Sequence, residues 1–175
     1  MMYAGRLTET KGIFVLLKAI ESVQKKFPDV KVDIYGTGRH EKEVCEYIRQ
    51  NHLEENCILK GFCNCMDEVY SEHEILISPS KTESCSFTIL EAMNDSCVIL
   101  ASDVDGTREI VFHGITGLLH PFGSHEILAD QILEVMSNST KRKMLAQNAH
   151  YEVTHRFTQQ DFISEYTKCL ISSDH

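Results

Sequence analysis

Apolar residues recur along this chain with two alternating periods. Over Lys11–Phe27, the residues Ile13, Leu16, Leu17, Ile20, Val23 and Phe27 fall mostly three or four positions apart. That spacing predicts one stripe of an amphipathic helix, and Pro28-Asp29 ends it. The flanking runs Met2–Ala4 and Val30–Tyr35 are short, apolar or alternating, and predict strands. The exchange continues with a helix over His40–His52, a strand at Cys57–Lys60, a brief helix over Met66–Ser71 and a strand at Glu74–Ser78. Next come a helix over Ser86–Asn94, a strand at Cys97–Ala101, a short helix over Thr107–Phe112 and a last strand at Gly117–His120. The rest predicts helices over Ser124–Met136, Thr140–Phe157 and Asp161–Leu170, with Thr158 as N-cap of the last and Asp161 three positions on.

Short strands joined by helical crossovers predict an α/β domain with a doubly wound, Rossmann-like parallel sheet covered on both faces. Ligands of such sheets bind beyond the carboxyl ends of the strands. That rule selects the loops Gly5–Lys11, Gly36–His40, Gly61–Asp67, Pro79–Ser86 and Asp103–Arg108.

The 175 residues suit one domain. A net charge of −9 argues against general nucleic-acid binding, which needs clustered Lys and Arg. It leaves room for a small anion held by a few placed cations and backbone N–H groups. The seven cysteines are odd in number and fall partly in strands, so they read as reduced thiols of a cytoplasmic protein. Cys63-Asn64-Cys65 has the wrong spacing for a zinc knuckle, and no metal is expected. No apolar run approaches the ~20 residues of a spanning helix. A first strand at residue 2 fits either a complete chain or a domain cut from a longer one.

Three stretches carry candidate chemistry. In Gly5–Gly12, Arg6 and Lys11 share a strand-to-helix loop. A cation at a helix N-terminus is electrostatically unfavourable, so Lys11 points to an anion that binds it together with free N–H groups. A solvated loop charge pair is the alternative. Gly36-Thr37-Gly38 follows a strand, but the third glycine of a dinucleotide fingerprint would fall at Glu41. A tight turn with close backbone approach is the better reading. In TESCSFTILEAM (Thr82–Met93), Glu83 and Glu91 bracket a helix start near Ser86. Side chains on a helix lean toward its N-terminus, so both carboxylates can flank one ligand there. A solvated helix face of Thr88, Glu91 and Asp95 is the alternative. Ser84, Cys85 and Ser86 lack the G-x-S-x-G elbow of a nucleophile, and no spacing selects His113 or His120 as a base.

Taken in order, GRLTETKG (Gly5–Gly12), VDIYGTGRHEKEV (Val32–Val44), ILKGF (Ile58–Phe62), EILISPSKTESCSFTILEAM (Glu74–Met93), ILASDVDGTREIV (Ile99–Val111) and GITGLLHPFGS (Gly114–Ser124) resemble the retaining glycosyltransferases of the group 1 family. The resemblance is to the C-terminal, donor-binding half of their two-domain GT-B architecture. It implies a nucleotide-diphosphate sugar as substrate, no metal or other cofactor, and catalytic roles for Arg6, Lys11 and Glu83. Arg6 and Lys11 would bind the diphosphate, and Glu83 would lie by the donor sugar. Glu91 would accept hydrogen bonds from the ribose. Gly36 and Gly38, with Ile58 and Leu59, would line the nucleobase pocket. Ser84, Cys85, Ser86 and Phe87 would turn backbone toward sugar or phosphate. An N-terminal half absent from this chain would bind the acceptor, a glycan or lipid of polysaccharide biosynthesis. That half would bring any peripheral membrane association, and the donor half alone would be inactive.

Three departures stand out. Ser86 replaces the family's usual glycine, which predicts a tighter or differently hydrogen-bonded pocket. Asn94–Val98 replaces the family's A-x-G-x-P turn. Asp105 brings a carboxylate where the family has a glycine pair. The alternatives are a non-catalytic nucleotide-binding module and the donor half of a nucleotide-sugar epimerase.

Overall fold

A computed structural model of the protein describes residues 1–157. Six strands, β1 (Met2–Ala4), β2 (Val32–Tyr35), β3 (Cys57–Gly61), β4 (Ile75–Ser78), β5 (Val98–Ser102) and β6 (Gly117–His120), form one sheet. Every neighbouring pair is parallel, and the order is β3-β2-β1-β4-β5-β6. The helices are α1 (Ile13–Gln24), α2 (Glu41–Gln50), α3 (Met66–Ser71), α4 (Phe87–Asn94), α5 (Asp105–Arg108), α6 (His125–Ser137) and α7 (Ser139–Arg156).

The sheet is buried on both faces, as its crossover helices require. Successive strand residues alternate between two cores. Tyr3, Ile77 and Leu100 pack with α1 and α6, whereas Met2, Leu76 and Ile99 pack with Tyr70, α4 and Ala149 of α7. Strand β5, flanked by β4 and β6, is buried at all five positions.

The helix starts differ from the sequence expectation where backbone geometry intervenes. A 3-10 turn at Glu9–Lys11 precedes α1, and the left-handed Gly12 (φ 71°) separates the two. A Cβ there would stand 1.9 Å from the Pro79 carbonyl oxygen, so only glycine fits. Lys11 therefore lies just outside α1, not in its first turn. Phe27, assigned above to the buried stripe, is 40% exposed, because the helix ends at Gln24. The short helix expected at Thr107–Phe112 forms two residues earlier, as α5. The helix expected over Asp161–Leu170 and its Thr158 cap lie outside the described residues.

Strand order runs outward in opposite directions from β1 and β4. Their carboxyl ends thus form the topological switch point, where doubly wound sheets open a crevice.

Candidate active site

The crevice has two compartments. The larger, about 380 Å³, lies over the ends of β1 and β2 and takes Tyr35, Phe62, Met66, Tyr70 and Glu91 into its wall. The smaller, about 230 Å³, lies over β1 and β4 and is walled by Lys11, Ser80, Glu83 and Ser86. Arg6 and Thr88 belong to both walls and mark the junction.

Backbone contacts between loops hold the larger compartment open. The Gly5 N–H donates to the Tyr35 carbonyl, the Leu7 N–H to Thr37 and the Gly36 N–H to Gly61. Gly36 (φ 125°) comes so close to the β1 loop that a Cβ would stand 2.0 Å from the Gly5 oxygen. The close approach expected at these glycines is of backbone to backbone. Gly36 lines the larger compartment; Gly38 does not, being pressed on Leu7 instead. Tyr3 fastens the same loop from below, its hydroxyl donating to the Arg6 carbonyl at 2.9 Å. Burial, and then the charge of Glu83, push its ionisation well above the usual tyrosine range, so it remains a donor.

In the smaller compartment, Lys11 Nζ and Glu83 Oε1 form an ion pair at 2.6 Å. Their side chains are 28% and 11% exposed. Removing either partner would leave the other charge uncompensated in a partly dry setting. The Glu83 backbone is itself supported, because the Gly106 N–H donates to its carbonyl at 3.2 Å. A Cβ on Gly106 would meet the Glu83 oxygen at 2.3 Å and the Ser84 oxygen at 2.4 Å.

Glu91 is arranged differently. The Tyr70 hydroxyl donates to Glu91 Oε2 at 3.0 Å, and among the described residues no Lys, Arg or His pairs with Glu91. Burial first, and then the Glu91 charge, raise the Tyr70 ionisation.

Ser86 is the N-cap of α4, its Oγ accepting from the Ile89 N–H at 3.4 Å. A serine is favoured there for that bond, which is a local reason for it to replace glycine. Ser84, Cys85 and Phe87 are exposed and are in neither wall. Ile58 and Leu59 are also absent from the walls. They lie within β3, behind the strand end, and Phe62, Cys63 and Met66 after it take the place assigned to them. The Asp105 carboxylate lies outside both compartments and pairs with Arg108 at 3.1 Å. His113 Nδ1 accepts from the Leu119 N–H, and His120 is buried against Gln131. Among the described residues no three His, Cys, Asp or Glu side chains are grouped to hold a metal ion, and no helix is long and apolar enough to cross a membrane.

Tyr3 and Tyr70 were not singled out by the sequence, and Thr88 was named only as part of a solvated helix face. Tyr3 sits in an apolar run and Tyr70 in a short helix among charged residues, and neither setting marks its hydroxyl. Thr88 had a signal: it stands three residues before Glu91, on the same helix face.

This sheet order, with a charged crevice at its switch point, defines a Rossmann-like, doubly wound α/β domain. The glycosyl transferases group 1 family model matches residues 1–151, and the chain belongs to that family. It is 30% identical over 175 residues to the UDP-N-acetylglucosamine–peptide N-acetylglucosaminyltransferase GtfA subunit of Streptococcus parasanguinis, covering 95% of this chain and 34% of that protein. The C-terminal domain of the group 1 protein LpcC from Francisella tularensis superposes with a TM-score of 0.83 at 26% identity, over 90% of this chain and 85% of that one. TarM of S. aureus, solved with Fondaparinux, alpha-GlcNAc-glycerol and UDP, gives a TM-score of 0.90 at 23% identity, over 95% of this chain and 34% of that one. The fold is thus that of a C-terminal half of a GT-B glycosyltransferase. The chain spans between a quarter and about a third of the length of the first curated relatives it matches.

Proposed function

We propose that the chain is the donor-binding half of a retaining glycosyltransferase that uses a nucleotide-diphosphate sugar. The observation that carries this reading is Arg6. Its side chain stands at the junction of an apolar, aromatic compartment and a charged one, and among the described residues it has no ion-pair partner. A nucleoside in the larger compartment and a sugar in the smaller would leave the diphosphate at that junction.

In this arrangement Phe62, Met66 and Tyr35 face the base, and Glu91 accepts hydrogen bonds from the ribose hydroxyls. Arg6 and Lys11 bind the diphosphate. As the bond between the anomeric carbon and the phosphate oxygen breaks, negative charge grows on that oxygen. Cations already fixed beside it stabilise the change at little reorganisation cost. Glu83 holds Lys11 in place and lies next to the sugar. The acceptor hydroxyl attacks from the face the diphosphate leaves and gives its proton to the departing phosphate oxygen, so anomeric configuration is retained. No metal or cofactor is assigned a part. A second, N-terminal half binds the acceptor, a glycan or lipid, in the cytoplasm or at its membrane surface. This half alone binds donor without turnover.

UDP in the TarM structure makes uracil the first base to test. Titration with UDP, GDP, ADP and their sugars, beside a Glu91→Ala control, tests the reading. Preference for NAD, or nucleotide affinity indifferent to Glu91→Ala, would contradict it.

A further inference from the structure

We infer that Tyr70 is a positioning residue, whose hydroxyl aims the Glu91 carboxylate at the ribose of a bound nucleotide. The inference rests on the donor-binding reading above and adds a residue to it.

Glu91 lies on a solvent-facing position of α4, where a glutamate samples many rotamers. Tyr70 is the opposite kind of side chain. It is 1% exposed, packed in the core with Met93, Cys97 and Ile110, and has only two torsions to fix. Its backbone is held as well, because Cys97 Sγ donates to the Tyr70 carbonyl at 3.5 Å and to that of His73 at 3.0 Å. The phenol therefore reaches Glu91 Oε2 from a rigid base.

One hydrogen bond to Oε2 leaves Oε1 and a remaining Oε2 lone pair as acceptors, enough for two vicinal hydroxyls. A lysine or arginine here would orient the carboxylate too, but it would also neutralise it and offer competing donors. A tyrosine held in its protonated form fixes direction and leaves the acceptor charge intact. Both residues stand in the wall of the larger compartment, so their bond is made where the ribose would lie.

The test uses Tyr70→Phe, which keeps the ring and the core volume and removes only the hydroxyl. Affinities for UDP and 2′,3′-dideoxy-UDP, with the GDP and ADP pairs in parallel, are measured on wild type, Tyr70→Phe and Glu91→Gln. The expected result is a loss of about 3- to 10-fold for the ribonucleotide in Tyr70→Phe, within the usual worth of one such hydrogen bond. Affinity for the dideoxy analogue should stay within about twofold, since no ribose hydroxyl remains to be read. Equal losses for both ligands would mean a merely structural role and overturn the inference. So would Tyr70→Phe binding unchanged while Glu91→Gln loses affinity, with the donor-binding reading left standing. A wild type that binds none of these nucleotides would overturn both.

Discussion

The two carboxylates of the crevice are eight residues apart in sequence and are held by opposite means. Glu83 meets a cation, Lys11, at 2.6 Å. Glu91 meets a neutral phenol, Tyr70, at 3.0 Å. In the first compartment the Lys11 charge is already matched by Glu83, and a diphosphate bound as proposed would share Lys11 with it. In the second the carboxylate has no cationic partner among the described residues and keeps lone pairs free, which suits the hydroxyl-accepting role proposed for it. The same residue type is held in two ways, because one neighbour supplies charge and the other only direction.

The largest expected effect falls on the frame that both compartments share. His120 ends β6, and burial holds its ring near a pKa of about 4, against 6.5 ordinarily. Between those values the unfolded chain takes up a proton that the native chain refuses. Stability is therefore complete above about pH 6.5 and falls as pH drops toward 4. That difference corresponds to about 3 kcal/mol at 1.36 kcal/mol per pH unit. Urea unfolding at pH 7 and pH 4.5 should show the loss in wild type and a smaller one in His120→Leu. Equal losses would remove His120 as the cause. A comparison of the two compartments in acid must therefore stay above this window.

A smaller and one-sided effect is expected from Gly106→Ala. The added Cβ would press on the Glu83 and Ser84 carbonyls, so the loop must move, at about 1–3 kcal/mol of strain. Thermal unfolding should register the strain. UDP-sugar affinity should fall while uridine affinity holds, because only the smaller compartment shifts. A matching fall for uridine would break the division between compartments. The smallest effect is Ser86→Gly, which restores the family's usual residue. Glycine at an N-cap costs only a few tenths of a kcal/mol, so the melting temperature should barely change. A large drop would mean that Ser86 supports the smaller compartment by more than its cap bond.

The parallel sheet was legible from sequence because its strands carry short apolar or alternating runs that no helix period fits. The five buried residues of β5 are the clearest case. The start of α1 was not legible. Its break depends on Pro79, nearly seventy residues away, crowding Gly12. Ile58 and Leu59 were given to the pocket by the family resemblance alone; both lie inside β3, and Phe62, Cys63 and Met66 beyond the strand line the crevice instead. Glu83, Glu91, Arg6 and Lys11 stood out in the sequence as charged residues around loop and helix starts, and all four line the crevice. Of their supports, Tyr70 and Gly106 were hidden because their partners are distant in sequence: Tyr70 meets Glu91 and Gly106 meets Glu83 only in the folded chain. Tyr3 was hidden in an apolar run.

Calorimetric titration of UDP and uridine against wild type, Lys11→Ala and Glu91→Ala tests the division of labour most directly. Lys11→Ala should weaken UDP by about 10-fold or more, the worth of a charge-assisted contact, and leave uridine unchanged. Glu91→Ala should weaken both ligands by similar factors. Uridine binding that depends on Lys11, or UDP binding indifferent to Glu91, would contradict the account.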